Sequence, residues 1–201
     1  MKKLRWAPAA LLLLCLAGCG GAQGSSRAEE LALTARGEYL AATSISTQAV
    51  LTADYGQRVY QFTVQVDMRG EETTVTLLQP ETVAGMTARL SPEGNVLEYD
   101  GALLELGTLD QEGLTPVGGV SAMVDALREG YVDSCTLEQD GEEEQVRILC
   151  RDPELPLGSG TEYTLWLDPE TLALEAGEAA VDGETVLRCQ CETFTWETGE
   201  T

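Results

Sequence analysis

Short segments that alternate apolar and polar residues, separated by turn sequences, dominate this chain. From Tyr60 to Met68 every second residue is apolar and the residues between them are polar. This period of two is typical of a β-strand with one buried face. The turn sequences are Pro92-Glu93-Gly94, Asp100-Gly101, Asp140-Gly141, Asp168-Pro169 and Asp182-Gly183, and such residues favour tight turns. The chain is therefore predicted to fold mainly as consecutive hairpins, which form an antiparallel sheet.

The pattern predicts about ten or eleven strands and two helices. The strands lie at about 59–68, 73–77, 86–90, 95–99, 102–106, 131–138, 145–151, 162–167, 172–181 and 185–196. A helix from about Ser26 to Thr43 is indicated by apolar residues at helical spacing. A second helix is predicted to start at Pro116, to carry an apolar stripe at residues 120, 123, 124 and 127, and to end before Gly130. Helices supplied separately from the hairpins make the fold class α+β.

The first residues of the chain have the pattern of a lipoprotein signal peptide. Three cations precede an apolar run, and the run ends in Leu16-Ala17-Gly18-Cys19. The run is about half the ~20 residues that a membrane-spanning helix needs. We therefore expect cleavage of residues 1–18, lipidation of Cys19, and a flexible tether over residues 19–27 that holds a domain of residues 28–201 at an extracytoplasmic membrane surface.

Composition excludes several classes of partner and chemistry. Removal of residues 1–18 takes three cations and no acids from a chain of formal charge −22, which leaves −25. Such a surface repels nucleic acid and anionic lipid headgroups. It favours solubility at a crowded envelope or attraction of a basic partner. The chain has no histidine, and histidine is the most frequent general base and metal ligand.

The order of elements resembles the LolA-like superfamily of lipoprotein-carrier and lipoprotein-localisation domains. The resemblance rests on the hairpin Tyr99-Asp100-Gly101-Ala102-Leu103-Leu104, on the helix after Thr115-Pro116, and on the hairpin Leu165-Trp166-Leu167-Asp168-Pro169-Glu170-Thr171, in that order. The superfamily includes RseB-type regulators and Gram-positive lipoproteins linked to sporulation or germination. The resemblance implies a curved antiparallel sheet, an unclosed half-barrel, with the two helices covering its concave face. It also implies binding of an acyl chain, a lipopeptide or a partner protein, whereas a lipid on Cys19 argues against shuttling between membranes.

One set of apolar residues could line a ligand cavity in such a half-barrel, because cavities of this kind are apolar and concave. The same residues could instead form a dry core beneath the helices. The set is Tyr60, Phe62, Val64, Val66, Met68, Leu77, Tyr99 and Leu103. Trp166 falls on the strand face opposite Leu165 and Leu167, where it would form part of a partner patch or lie under a loop.

Four cysteines remain after Cys15 leaves with the signal peptide and Cys19 is lipidated. A four-residue loop at residues 141–144 would place Cys135 directly across from Cys150, at a separation that a disulfide can just bridge. Cys189 and Cys191 share one face of the last strand, where a bridge would be strained. Free buried thiols, and a zinc site made of all four thiolates, are the alternatives to the Cys135–Cys150 disulfide; spacing of two residues on a strand is poor for zinc.

No catalytic motif is present. The sequence lacks GxSxG, SxxK and a P-loop, and no cofactor or metal is predicted. The acidic run of Asp140 and residues 142–144 lacks the alternating carboxylates of a calcium loop, and a solvated turn is favoured. We expect a non-catalytic binding protein, either a regulatory module that binds an envelope protein or a carrier of an acyl chain or lipopeptide. A hydrolase would require an acidic or thiol cluster that the sequence does not reveal.

Overall fold

The computed structural model describes residues 21–106, 114–141 and 143–199; the predicted signal peptide and Cys19 lie outside these residues. These residues contain two helices, α1 (Gly21–Ala41) and α2 (Gly119–Glu129). The strands are β1 (Ala42–Asp54), β2 (Val59–Arg69), β3 (Glu72–Gln79), β4 (Thr87–Ser91), β5 (Gly94–Tyr99), β6 (Ala102–Leu106), β7 (Val132–Asp140), β8 (Glu143–Arg151), β9 (Thr161–Leu167), β10 (Leu174–Val181) and β11 (Glu184–Thr198). No helix in these ranges is long and apolar enough to cross a membrane.

All eleven strands form one antiparallel sheet that does not close. Its order is β6-β5-β4-β3-β2-β1-β11-β10-β9-β8-β7, so the first and last strands pair at its centre. The sheet curves into a half-barrel with both helices on one face, which confirms the predicted α+β class. Strand β1 was missed by the sequence analysis, because its buried positions are mostly small or polar, as at Thr47, Ala49 and Ala53.

The helices cover the inner face of the sheet, and that face is the core. α1 lies against β7 and β8, and α2 lies against β9, β10 and β11. From α2, the side chains of Val120, Met123, Val124 and Leu127 are buried. Gly177 of β10 provides the space for α2, because a Cβ there would come within 2.5 Å of the Met123 sulfur. We call the opposite, solvent-facing side of the sheet the outer face.

Both helices begin at positions that differ from the prediction. α1 is helical from Gly21, whereas the sequence pattern starts this helix at about Ser26; the flexible tether over residues 19–27 stays a prediction. Apolar periodicity shows where a helix is buried rather than where it begins. In α2 the first helical residue is Gly119 rather than Pro116, because residues 115–118 form a separate turn. In that turn the Gly118 N–H donates to the Thr115 hydroxyl at 3.1 Å.

Each helix uses an arginine of the other to satisfy its carboxyl-terminal carbonyls. Arg36 of α1 donates from Nε to the Leu127 carbonyl at 2.8 Å and also donates to the Gly130 carbonyl. Arg128 of α2 donates from Nε to the Tyr39 carbonyl at 2.9 Å. Carbonyls at a helix end lack partners within the helix and carry partial negative charge. The two helices are therefore joined by reciprocal charged hydrogen bonds.

Tyr39 fixes the carboxyl end of α1 to the sheet. Its ring is 1% exposed and lies 5.6 Å, centroid to centroid, from both Phe194 and Trp196 of β11. Its hydroxyl donates to the Leu172 carbonyl at 3.1 Å. Burial raises the pKa of the Tyr39 phenol far above its usual value, so this donor stays protonated.

The β9–β10 connection is part of the hairpin that carries the family resemblance. Its role is structural, because a carboxylate holds the turn in place. The Asp168 carboxylate accepts hydrogen bonds from the Thr171 N–H at 2.6 Å, the Glu170 N–H at 2.8 Å and the Thr171 hydroxyl at 2.9 Å. These bonds, led by the one from the Thr171 N–H, lower the pKa of Asp168. The motif therefore sets the turn that presents the Leu172 carbonyl to Tyr39.

Candidate functional site

Exposed apolar side chains collect at one end of the half-barrel. The connections β1–β2, β3–β4, β5–β6, β8–β9 and β10–β11 all lie at this end, as the antiparallel pairings require. Among the residues whose exposure is described, twelve large apolar side chains are exposed, and ten of them belong to this end. They are Tyr55, Val59, Tyr60, Leu78, Tyr99, Leu103, Leu104, Tyr131, Leu155 and Leu157. We call this region the apolar end.

An aromatic row runs from the β1–β2 turn into the inner face. The rings of Tyr55 and Tyr60 are 6.2 Å apart between centroids, and the rings of Tyr60 and Phe62 are 6.3 Å apart. Exposure falls along the row, from 51% at Tyr55 through 39% at Tyr60 to a half-buried Phe62. The Tyr55 hydroxyl also donates to the Leu114 carbonyl at 3.4 Å, which ties the segment before α2 to this end.

The predicted cavity-lining residues divide between the core and the apolar end. Val64, Val66, Met68 and Leu77 are buried and pack in the central core cluster. Tyr60 and Tyr99 lie on the inner face but are exposed at its apolar end, and Phe62 lies between these two groups. The residues are therefore continuous with the core at one side and with solvent at the other.

Leu103 does not belong to this set, because it lies on the outer face. The two-residue turn Asp100-Gly101, with φ of 50° and 76°, pairs Tyr99 with Ala102. Leu103 then pairs with Glu98 on the outer face, 71% exposed, and Leu104 takes the inner position opposite Leu97. Paired residues share a face and faces alternate along a strand, so the short turn decides which leucine points inward.

Two openings among the described residues have linings that mix polar and apolar groups. One, of about 590 Å³, is on the outer face and includes Trp166 and Arg188. Another, of about 460 Å³, lies between α2 and the sheet and combines Ser121 and Asp125 with Tyr163 and apolar side chains. Burial raises the pKa of the Asp125 carboxyl. Neither opening has the uniformly apolar lining that an acyl chain requires.

The register of β7 and β8 corrects the predicted position of Cys135. The turn between these strands has two residues rather than four, so Asp140 pairs with Glu143 and Cys135 faces Ile148. Cys150 faces Val132 instead. Both cysteines are free thiols in the structure; the Cys135–Cys150 disulfide stays a prediction for the oxidised protein. Burial raises the pKa of the Cys135 thiol, and it raises that of Cys150 to about 11.

Cys189 and Cys191 lie side by side on the inner face of β11, as their spacing predicts. Their sulfur atoms are 3.7 Å apart, and both are free thiols. Their shared hydrogen bond lowers the pKa of Cys191 and raises the pKa of Cys189. In the part of the chain that the structure describes, no group of three or more His, Cys, Asp or Glu side chains could hold a metal ion.

Trp166 lies on the strand face that the sequence pattern predicts, whereas Glu143 and Glu144 of the acidic run belong to β8 rather than to the turn. Trp166 is on the outer face, half-buried, and its indole N–H donates to Glu138 at 3.3 Å. At the β7–β8 tip, Glu144 forms an ion pair with Arg27 at 2.8 Å. Glu142 lies outside the described residues.

Comparisons with known proteins show the fold and do not extend to function. No protein-family profile matches the sequence, and no curated protein matches it. Among solved structures, LprF from Mycobacterium bovis is 13% identical with a TM-score of 0.50, over 89% of this chain and 96% of that one. A LolA-superfamily protein from Nitrosomonas europaea is 11% identical with a TM-score of 0.46, over 86% and 94%. The GerS–CwlD complex from Clostridioides difficile also matches, at 9% identity and a TM-score of 0.41, over 84% of this chain and 95% of that chain.

The structure therefore shares its fold with LprF, and its curved, unclosed antiparallel sheet with two helices on one face is the architecture that the sequence resemblance implied. Its particular form is an open eleven-stranded half-barrel, filled on its inner face by α1 and α2 and exposing apolar side chains at one end.

Proposed function

We propose that this protein is a non-catalytic, lipid-anchored extracytoplasmic lipoprotein that binds a partner protein through its apolar end. The observation that carries the proposal is the collection there of ten of the twelve large apolar side chains that are exposed among the described residues. Scattered exposed leucines are normal on a protein surface, whereas exposed apolar side chains concentrated at one end favour an interaction site. We propose that this binding serves envelope regulation. The family resemblance suggests sporulation or germination as the process.

The burial of the predicted lining residues on the inner face favours a protein partner over an acyl chain as the ligand. Four of the predicted lining residues are buried in the core, and Val64 and Val66 are each 1% exposed. A chain inserted along them would have to displace α2 or the segment that packs Leu114 and Val117 against the core. Side chains that are exposed, such as Tyr99 and Leu104, remain available for a partner without such displacement.

The fold supports an orientation in which the apolar end points away from the proposed lipid anchor. The Arg27–Glu144 ion pair places the amino-terminal part of α1 beside the β7–β8 turn, at the opposite end of the sheet. The expected lipidated residue, Cys19, precedes Arg27 by eight positions. A short connection of this kind keeps the β7–β8 end near the bilayer and leaves the apolar end facing other envelope components.

Charge around the apolar end indicates the chemistry of the partner. The connections at this end and the strand ends beside them carry many more carboxylates than cations, with Arg58 and Arg151 as their cations in the described residues. The acids are Asp54, Glu81, Asp100, Asp152, Glu154, Asp182 and Glu184. Complementary charge steers association and excludes wrong partners. The partner surface is therefore apolar at its centre and basic at its periphery.

Site-specific photocrosslinking in cells tests the proposal. A benzoylphenylalanine residue is placed at Leu104, which is 60% exposed at the apolar end, and at Leu33, which is 70% exposed on α1. We expect a discrete adduct from position 104 that position 33 does not give. Substitution Val59→Glu should remove that adduct, because it places a charge in the apolar region. Equal adducts from both positions, or none from position 104, would contradict a partner site there.

Two further measurements test the lipid anchor and the alternative function. Cys19→Ala should release the protein from membranes into the soluble fraction while leaving its thermal unfolding unchanged, because residue 19 precedes the domain. A variant that stays membrane-bound would refute the anchor. Native mass spectrometry of the purified domain distinguishes the alternative function, acyl-chain or lipopeptide binding; a co-purifying acyl ligand would favour it over a partner protein.

A further inference from the structure

The outer face contains a groove that the proposed partner site does not use. Its volume is about 590 Å³, within the range of small-molecule sites. It crosses the sheet from β2 to β7 over the central strands, and its walls include Trp166, Glu138, Gln145, Arg188, Gln190 and Gln61. The groove lies on the side of the sheet opposite the helices, so it is separate from the core and from the inner apolar residues.

The strand register explains why a groove forms here. Ala176 of β10 lies directly between Gln190 of β11 and Trp166 of β9. Neighbouring strands are about 4.8 Å apart, so the two large side chains stand roughly 10 Å apart on either side of a methyl group. Along the next row, Thr52 of β1 lies between Gln61 and Arg188. Small residues therefore form the floor and long ones form the walls.

The polar groups of the groove are positioned by contacts with each other. The Trp166 indole N–H donates to Glu138 at 3.3 Å, and Arg147 lies 3.7 Å from the same carboxylate. Arg188 donates to Glu178 at 2.8 Å. Such contacts restrict the side chains before any ligand arrives, which lowers the entropy cost of binding.

The chemistry of this surface matches an uncharged polyhydroxylated ligand. Arg188 in the lining and Arg147 beside Glu138 are each paired with a carboxylate, so an anionic ligand would have to compete with a carboxylate for either arginine. Gln61 and Gln190 each offer a donor and an acceptor, which suits hydroxyl groups that both give and take hydrogen bonds. The indole of Trp166 is an apolar surface with a polar handle, suited to packing against the C–H face of a sugar ring.

We propose that this groove binds a neutral oligosaccharide, with one sugar ring packed on Trp166 and its hydroxyls bonded to Gln190 and the Arg188–Glu178 pair. This site is independent of the apolar end, so its success or failure does not decide the partner proposal. The groove gives the protein a means to bind uncharged glycan at the cell envelope.

Isothermal titration of the domain with neutral tetrasaccharides tests the site. The probes are β-1,4-linked tetramers of N-acetylglucosamine and of glucose. At least one should bind, and Trp166→Ala should weaken its binding about tenfold, as expected for loss of an aromatic packing partner. Because Trp166 is half-buried, Gln190→Ala provides a second variant with little effect on folding, and it should weaken binding severalfold.

The matched control is another ion pair on the outer face. Arg89 and Glu98 are 3.4 Å apart on β4 and β5, exposed to a similar extent as Arg188 and Glu178. Arg188→Ala should weaken sugar binding, whereas Arg89→Ala should leave it unchanged. The proposal is overturned if neither tetrasaccharide binds at millimolar concentration, or if folded Trp166 and Gln190 variants bind as tightly as the unaltered domain.

Discussion

The hydroxyl of Tyr39 provides a quantitative test of how α1 is held on the sheet. Tyr39→Phe keeps the packing with Phe194 and Trp196 but removes the donor to the Leu172 carbonyl. A lost buried hydrogen bond costs about 1 to 2 kcal/mol. Tyr39→Ala also removes a buried ring and two aromatic contacts, for a total of about 4 to 6 kcal/mol. Urea unfolding of residues 20–201 should therefore rank the two variants widely apart.

The pH dependence of the same residue separates the hydroxyl from the ring. Burial raises the pKa of Tyr39 in the folded protein, so its contribution is complete below the usual tyrosine pKa of about 10 and is lost as the pH rises above it. Between pH 9 and pH 11 the unaltered domain should lose about 1.4 kcal/mol more stability than Tyr39→Phe. Equal losses in both proteins, or a Phe variant as unstable as the Ala variant, would refute this account of the contact.

Three other predictions concern the β10 glycine, the β9–β10 turn and the thiols. Gly177→Ala should lower the free energy of unfolding by about 1 to 3 kcal/mol because its methyl group meets a methionine sulfur of α2. Gly37→Ala, with open space around its Cα, should be neutral or stabilising; equal effects would contradict the packing argument. Asp168→Asn should cost about 1 kcal/mol at pH 7. Because the folded pKa of Asp168 is lowered, that difference should shrink as the pH falls below the usual aspartate pKa of about 3.9; a difference that persists in strong acid would contradict this account. In the folded domain at pH 8 a thiol reagent should modify Cys191 before Cys150, whose pKa is about 11, and peptide mapping of the products would reveal the reverse order.

The elements with strong apolar alternation were predictable, and the central strand was not. β2 carries large apolar residues at every inner position from Tyr60 to Met68, so its period was visible. On β1 the buried positions include Thr47, Ala49 and Ala53, which have no apolar signal of their own. At the centre of the sheet these small residues pack beside large side chains on the adjacent strands. Those strands are distant in sequence, so the residues of β1 alone do not reveal that it is buried.

Turn length limited the prediction of the candidate sites in the same way. An error of two residues in the β7–β8 loop moved Cys135 from Cys150 to Ile148, and the short β5–β6 turn put Leu103 on the outer face. Because faces alternate, small changes in register reassign a side chain's neighbours entirely. The exposed apolar residues at this end come from four strand connections and the segment before β7, so their collection at one end emerges only in the assembled sheet.

The pairing of β1 with β11 has a consequence for how the polypeptide matures. Residues near position 50 find their partners near position 190, so the middle of the sheet stays incomplete until nearly the whole described chain has been synthesised. Contacts between such distant segments form late, because a long loop must be closed first. For a protein that we propose is threaded through a membrane before it folds, this delay keeps the nascent chain in a translocation-competent state.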